Sequence, residues 1–169
     1  RSVRKLTYQA SASRITNGAG RREFQDTTAQ FATEWQNSDK LTFDYTGTYE
    51  YLPAPFRIAP VVTLPIGGYD FNNLKTTFSL VQQRPVNASL SAEYGTFYDG
   101  HKAAFGISRG RIKVSTRLSL EPTLSTNRVT LAEGRFTTNL AGSRITLSPN
   151  AVMFVSALLQ YNSSNQTLS

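Results

Sequence analysis

The sequence contains no cysteine, only one histidine, and no apolar run long enough to cross a membrane as a helix. Without cysteine the chain can form neither a disulfide nor a thiolate metal site, and His101 alone cannot make a multi-histidine site. A transmembrane helix needs about 20 consecutive, mostly apolar residues, so a helical span is excluded. Helical spacing of apolar residues is scarce, whereas Thr, Tyr, Phe, Val and Ser are abundant. The sequence therefore predicts an all-β chain.

The chain is basic, but its basic residues are dispersed. The net charge is +7, from 18 Lys and Arg against 11 Asp and Glu. The densest run is Arg21-Arg22, and Arg109 and Arg111 flank a glycine. Since a nucleic-acid-binding protein usually gathers its basic residues on one face, no nucleic acid is expected as a partner. Basic loop ends suit acidic lipid head groups equally well.

The stretch KLTFDYTGTYEYL, residues 40–52, has the side-chain period of a β-strand. Leu, Phe and Tyr occupy alternate positions, interrupted by one Gly, and Thr, Asp and Glu lie between them. This alternation places the aromatic residues on one face and the polar residues on the other. Thirteen residues in a strand span roughly 40 Å, and a tilted membrane-crossing strand needs about 9–11 residues.

Nine strands of this kind are predicted between turn residues, and another begins as the chain ends. The approximate bounds of the nine are 3–16, 23–36, 40–52, 69–82, 86–97, 101–108, 112–121 with a possible continuation past Pro122 towards Val129, 135–147 and 151–161. Asp99-Gly100 and Arg109-Gly110-Arg111 are interpreted as turns. The connection 53–68 contains four prolines, which cannot donate ladder hydrogen bonds, so an irregular path is predicted there. Its length makes it the best candidate for a loop that folds inward or contacts a partner.

The connections are predicted to alternate in length. Short turns follow the second, fourth, sixth and eighth strands, and longer connections follow the others. This pattern is typical of an antiparallel up-and-down meander, and of outer-membrane barrels in particular. We therefore predict one domain over residues 1–169, built from about nine long strands, as a transmembrane β-barrel or part of one.

Along each predicted strand, the positions that alternate with the apolar residues carry charged side chains. These side chains would face a polar lumen and form cross-strand ion pairs. The same pattern also fits the solvent face of an ordinary sheet. The lumen-facing candidates are Lys5, Glu34, Asp44, Glu50, Lys75, Glu93, Lys113, Arg117, Glu121 and Arg144.

Aromatic residues gather near the predicted strand ends, where membrane barrels carry girdles of amphipathic rings. Hairpin packing would explain the same positions in a soluble sheet. The candidates at the long-loop ends are Tyr49, Tyr51, Tyr94, Tyr98, Phe136 and Tyr161, and those at the short-turn ends are Trp35 and Phe154.

No catalytic signature is found. Asp99 and His101 could form an acid–base pair, but a turn followed by a surface histidine explains them more simply. The serines lack the context of a nucleophile elbow. The NGAG segment at Asn17 precedes no helix, so a phosphate cradle is not predicted. We therefore expect no enzyme, no cofactor and no metal site.

Several motifs, in order, resemble one bacterial family. They are PFRI, LPIGGYDFN, RPV followed by an alternating strand, GTFYDG, NRVTLAEGRFTTNL and FVSALLQYN, and together they cover roughly residues 33–168. The segment is similar to the C-terminal barrel of uncharacterised putative outer-membrane proteins that carry an N-terminal domain resembling carbohydrate-binding-module family 9. The resemblance implies a bacterial outer-membrane barrel, and it implies no known activity. That N-terminal module is absent here, so sugar binding is not carried over.

The predicted number of strands is odd, which bears on whether these strands alone form a complete barrel. Single-chain bacterial barrels have even strand counts, and an open sheet in lipid would leave edge backbone groups unsatisfied. The chain begins RSVRKLTYQ, with no apolar signal-peptide core. We expect a removed targeting segment or a piece of a longer protein, and closure of the sheet on itself or on partner strands.

The leading hypothesis is a non-enzymatic, porin-like barrel segment of the bacterial outer membrane, with a structural, anchoring or passive pore role. Its partners would be the lipid bilayer with lipopolysaccharide, and other protein chains that complete the barrel. The rival hypothesis is a soluble β-sandwich or small barrel that binds a ligand or joins an assembly, its apolar face packed on a second sheet. An enzyme on a barrel is a third, weaker possibility.

Overall fold

The computed structural model describes residues 2–59, 62–81, 83–150, 153–163 and 167–168. These residues form strands and the turns between them. They include no helix, and hence none long and apolar enough to cross a membrane. The predicted all-β antiparallel class is confirmed.

Most of the strands are far longer than the five or six residues usual in soluble sheets. Their bounds are β1 Val3–Thr16, β2 Arg22–Trp35, β3 Lys40–Leu52, β4 Phe56–Ala59, β5 Val62–Leu64, β6 Gly67–Ser79, β7 Val86–Phe97, β8 Gly100–Lys113, β9 Leu118–Leu131, β10 Gly134–Asn150, β11 Met153–Asn162 and β12 Thr167–Leu168.

Ten strands form one meandering sheet in the order β1-β2-β3-β6-β7-β8-β9-β10-β11-β12. Every pair of neighbours is antiparallel, so the predicted up-and-down topology is confirmed. The two edges, β1 and β12, do not pair with each other within the described residues. The short β4–β5 hairpin forms a separate two-stranded sheet.

The Pro-rich connection is the first departure from prediction. It is not irregular throughout, because β4 and β5 pair as a hairpin inside it. Neither strand joins the main sheet, in agreement with the expectation that prolines exclude a central strand there.

The predicted turn at Arg109-Gly110-Arg111 is wrong. β8 continues through it to Lys113, and a register shift accommodates the extra residue between Ile107 and Ile112. Gly110 lies so close to the neighbouring strand that an added Cβ would come within 2.8 Å of the Pro122 carbonyl oxygen. The glycine therefore permits close strand approach and does not form a turn.

The predicted alternation of connection lengths holds only in part. The connections after β7 and β9, which were expected to be long, consist of residues 98–99 and 132–133 alone. The loop residues are Tyr98-Asp99 and Ala132-Glu133, and Tyr98 has a positive φ of 51°, which tight two-residue hairpins favour. Only the connection between β3 and β6 is long, and it contains the β4–β5 hairpin.

The register defines two faces of the sheet. We call the face against which the hairpin packs the inner face, and the opposite one the outer face. On β7 the inner residues Asn87 and Ser89 are buried, at 4% and 9% exposure, whereas the outer residues Val86, Leu90 and Tyr94 are exposed. On this strand the polar side chains are thus more buried than the apolar ones, which reverses the arrangement of a soluble sheet.

One row of cross-strand neighbours on the outer face is apolar along most of the sheet. From β1 to β11 the row reads Leu6, Thr33, Leu41, Phe78, Leu90, Ile107, Leu124, Ala141 and Tyr161. Aromatic pairs lie beside it, with ring centroids 5.2 Å apart for Tyr8 and Phe31 and 6.2 Å apart for Trp35 and Phe78. No described element covers this face.

Candidate functional site

The inner face is crossed by polar side chains that bond from strand to strand. Gln30 donates to Asp44 at 2.6 Å, and Lys102 donates to Glu93 at 2.8 Å. The hydroxyl groups of Ser79 and Ser89 lie 2.9 Å apart. Such bonds require registered neighbours on one face, which the period-two alternation of these strands supplies.

Nine of the ten predicted lumen-facing residues lie on the inner face. They are Lys5, Glu34, Asp44, Glu50, Lys75, Glu93, Lys113, Glu121 and Arg144. Arg117 is the exception, because residues 114–117 form the β8–β9 turn. The Ser115 hydroxyl accepts backbone N–H bonds from Arg117 and Leu118 there, and these bonds hold the turn.

Every acidic candidate has a partner. Besides the bonds of Asp44 and Glu93, Glu34 pairs with Arg4 at 3.2 Å, Glu121 pairs with Arg111 at 3.3 Å, and Tyr98 donates to Glu50 at 2.8 Å. The three cationic partners, Arg4, Lys102 and Arg111, were not among the predicted site residues. The sequence could have indicated Lys102 as an inner-face residue. It is next to Ala103, which belongs to the apolar row of its strand, so alternation places Lys102 on the opposite face.

A second polar contact joins two turns outside the strands. Asp39, in the β2–β3 turn, is fully buried; it accepts bonds from Arg84 Nη2 at 2.9 Å and from the Val81 N–H at 3.1 Å. Burial alone would raise the pKa of Asp39, but these bonds, the positive charge of Arg84 and a bond from Asn37 lower it overall. The charged carboxylate thereby fixes the β2–β3 turn to the β6–β7 turn.

The β4–β5 hairpin fills one end of the inner face. Val62 and Leu64 have no exposed surface, whereas Thr63 between them is exposed. They pack in one cluster with Leu52 on β3 and with Val129 and Leu131 on β9.

The breadth of this contact shows how the sheet curves. β3 and β9 lie four strand spacings apart in the sheet order, which is roughly 19 Å along a flat sheet. A single small hairpin contacts both, so the sheet must curl around it. The hairpin therefore lies across the concave side, as predicted for a connection that folds inward.

The predicted interface aromatics do not all share one position. Trp35, Tyr49, Tyr51, Tyr94 and Tyr161 lie on the outer face by register. Tyr98 and Phe136 do not: both pack against the hairpin cluster on the inner side. The outward position predicted for these two is wrong, because the inward-folded hairpin offers them an apolar surface. The outward position predicted for Phe154 is wrong as well, since this residue lies on the inner face of β11 by register, where its side chain is 75% exposed.

Arginines accompany the outer tyrosines near the start of β2. The Arg22 guanidinium lies 3.4 Å from the centre of the Tyr49 ring, and Arg21 lies 5.7 Å from that of Tyr51. A guanidinium over an aromatic face is a cation–π contact. This boundary of the outer face is therefore both aromatic and cationic.

A groove runs along the inner face from β7 to β11. Donor-rich side chains line it, among them the Arg111–Glu121 pair, Asn87 and Arg144. Within the described ranges, no cluster of three or more His, Asp or Glu could hold a metal ion. The chemistry available is hydrogen bonding and ion pairing along a polar surface.

Comparisons with protein-family models, with curated proteins and with solved structures found no match. The resemblance to the barrel region of the outer-membrane family therefore stays a prediction, and function rests on the geometry of the two faces.

Proposed function

We propose that the chain is a β-barrel segment of a bacterial outer membrane, with a structural or anchoring role and passive permeation as its alternative role. The observation that carries the proposal is the reversed polarity of the sheet. Leu90 on the outer face is 38% exposed, while Asn87 and Ser89 on the inner face of the same strand are buried. Hydrocarbon outside and a polar interior are the environment that such a sheet needs.

The slant of the apolar band supports the same proposal. On the outer face, polar residues replace apolar ones before Leu74 on β6, at Asp70 and Asn72, and after Leu124 on the antiparallel strand β9. The row through Leu74 crosses β9 at Arg128, so the boundary has moved four residues over three strand steps. Between these two strands the edge of the band therefore runs obliquely to the strand direction, as the tilted strands of a membrane barrel require.

The unpaired edges of the sheet must find partner strands if the chain lies in a membrane. In lipid, the unpaired backbone groups of β1 would each cost several kcal/mol. The proposal therefore includes closure by additional strands, from this polypeptide or from partner chains. β1 is exposed along nearly its whole length, which leaves its edge accessible to such a strand.

The hairpin favours the anchoring role over open permeation. Val62 and Leu64 bring an apolar cluster onto an otherwise polar face, and they fill the concave side at one end. A solute that followed the polar groove would meet this cluster. We therefore assign the chain a closed resting state.

A depth-dependent arginine scan of the outer face tests the membrane assignment. In lipid vesicles, Leu90→Arg near the middle of the band should lower the free energy of unfolding by about 2–4 kcal/mol, and Val86→Arg at its end by about 0–1 kcal/mol. The folded protein should need detergent and should migrate differently on a gel before and after heating.

The rival soluble sheet makes the opposite prediction. Both positions are partly exposed, so in water both arginines should change stability by about 0.5 kcal/mol or less. Equal small effects, together with a monodisperse protein in buffer without detergent, would refute the membrane assignment.

A further inference from the structure

Two arginines lie together on the outer face above the apolar band. Arg128 on β9 is the direct neighbour of Thr137 on β10, and Arg135 is the direct neighbour of Thr130. Arg128 and Arg135 are thus diagonal neighbours, which places them about 7–8 Å apart. They line an open cleft of about 450 Å³ together with the outer-face residues Thr126 and Thr137.

Neither guanidinium has an ion pair or hydrogen bond within the part of the chain that the structure describes. Every acidic lumen candidate, by contrast, has a partner on the inner face. Two like charges on adjacent strands repel each other unless an anion lies between them. The Thr126 and Thr137 hydroxyl groups beside them add neutral donors.

The position of the pair restricts the kind of anion. On β9, Arg128 follows Leu124 by four residues on the same face, which is roughly 13 Å along the strand. Below Leu124 the outer face continues with Leu120 and Leu118. A ligand here would have its anionic group at the arginines and an apolar part along the band.

We propose that Arg128 and Arg135 bind the phosphate group of a membrane lipid, whose acyl chains lie along the outer face of β9 and β10. The inference rests on the proposed membrane location and names the lipid chemistry that this surface selects. Paired guanidiniums match phosphate geometry, because each can donate two parallel N–H bonds.

The test measures lipid binding by the chain folded in neutral detergent. Phosphatidic acid and diacylglycerol with the same acyl chains differ only in the phosphate, so phosphatidic acid should bind more tightly. The double variant Arg128→Gln, Arg135→Gln should weaken its binding about tenfold or more. Arg144→Gln on the inner face is the matched control and should bind like the unmodified chain.

Three outcomes would overturn the proposal. The double variant could bind phosphatidic acid undiminished, or diacylglycerol could bind equally well. Inorganic phosphate could also compete at the same concentration as the lipid, which would indicate a site for free anions. Each variant is first checked for heat-modifiable gel migration. A chain that is soluble and folded without detergent would instead count against the membrane location itself.

Discussion

Lys102 on β8 donates a hydrogen bond of 2.8 Å to Glu93 on β7, and both side chains are about three-quarters buried on the inner face. One residue further along β7, Tyr94 is 64% exposed on the outer face. The charged pair is thus better shielded from solvent than the aromatic ring beside it. This contrast within two consecutive residues shows the reversed polarity of β7.

The Lys102–Glu93 pair should contribute measurably to stability. Glu93→Ala removes the acceptor and leaves a partly buried ammonium group, so the free energy of unfolding should fall by about 1–3 kcal/mol. Lys102→Ala should show a similar loss, and a double-mutant cycle should give a coupling energy of about 0.5 kcal/mol or more. Strictly additive losses in urea unfolding would show that the two residues do not interact.

The hairpin should be a firmly packed element. Leu64 is fully buried against Leu52, Val129 and Leu131, so Leu64→Ala should cost about 2–5 kcal/mol of unfolding free energy. The neighbouring Thr63 is exposed, and Thr63→Ala should change stability by about 0.5 kcal/mol or less. Similar small effects for both variants would mean that the hairpin does not pack on the inner face.

Asp39 should make stability depend on acidity. Its pKa is lower in the folded state than its ordinary value of 3.8, because Arg84, Asn37 and the Val81 N–H stabilise the carboxylate more than burial destabilises it. Its contribution is therefore complete above the unfolded pKa and is lost as the pH falls through the folded pKa. The stability difference between the unmodified chain and Asp39→Asn should be constant from pH 7 to 5 and shrink below about pH 4. A difference that grows on acidification would contradict this assignment.

Side-chain alternation was sufficient to predict much of the fold. The bounds of β1, β3 and β7 agree with those predicted, since each strand alternates cleanly and ends at turn residues. The tight β2–β3 turn at Asn37-Ser38-Asp39 was also predicted, although the sequence gives no sign that Asp39 reaches Arg84, 45 residues away.

Errors arose where tertiary contacts override local chemistry. Gly110 resembles a turn residue, yet it allows β8 to approach Pro122 closely. Tyr98 and Phe136 are aromatic residues near strand ends, as interface residues are, yet both pack against the hairpin on the inner side. Parity assigned nine of ten charged candidates to the inner face, but the partner of each depends on register, which a single sequence does not specify.

The closed state predicts how permeation responds to substitution. Because a carboxylate cannot stay in the cluster of Val62, Leu52 and Val129, Leu64→Asp should displace the hairpin from the inner face. Folded protein in planar bilayers should then conduct ions well above the unmodified chain. Thr63→Asp places the same charge one residue away on the exposed side of β5, so its conductance should stay at the low starting value.

Gel migration before and after heating establishes first that each variant is folded. If the unmodified chain already conducts as well as Leu64→Asp, the hairpin does not obstruct the passage, and the chain acts as an open pore. If neither aspartate variant conducts while both remain folded, the inner face carries no continuous path for ions. The anchoring role would then stand without the alternative of permeation.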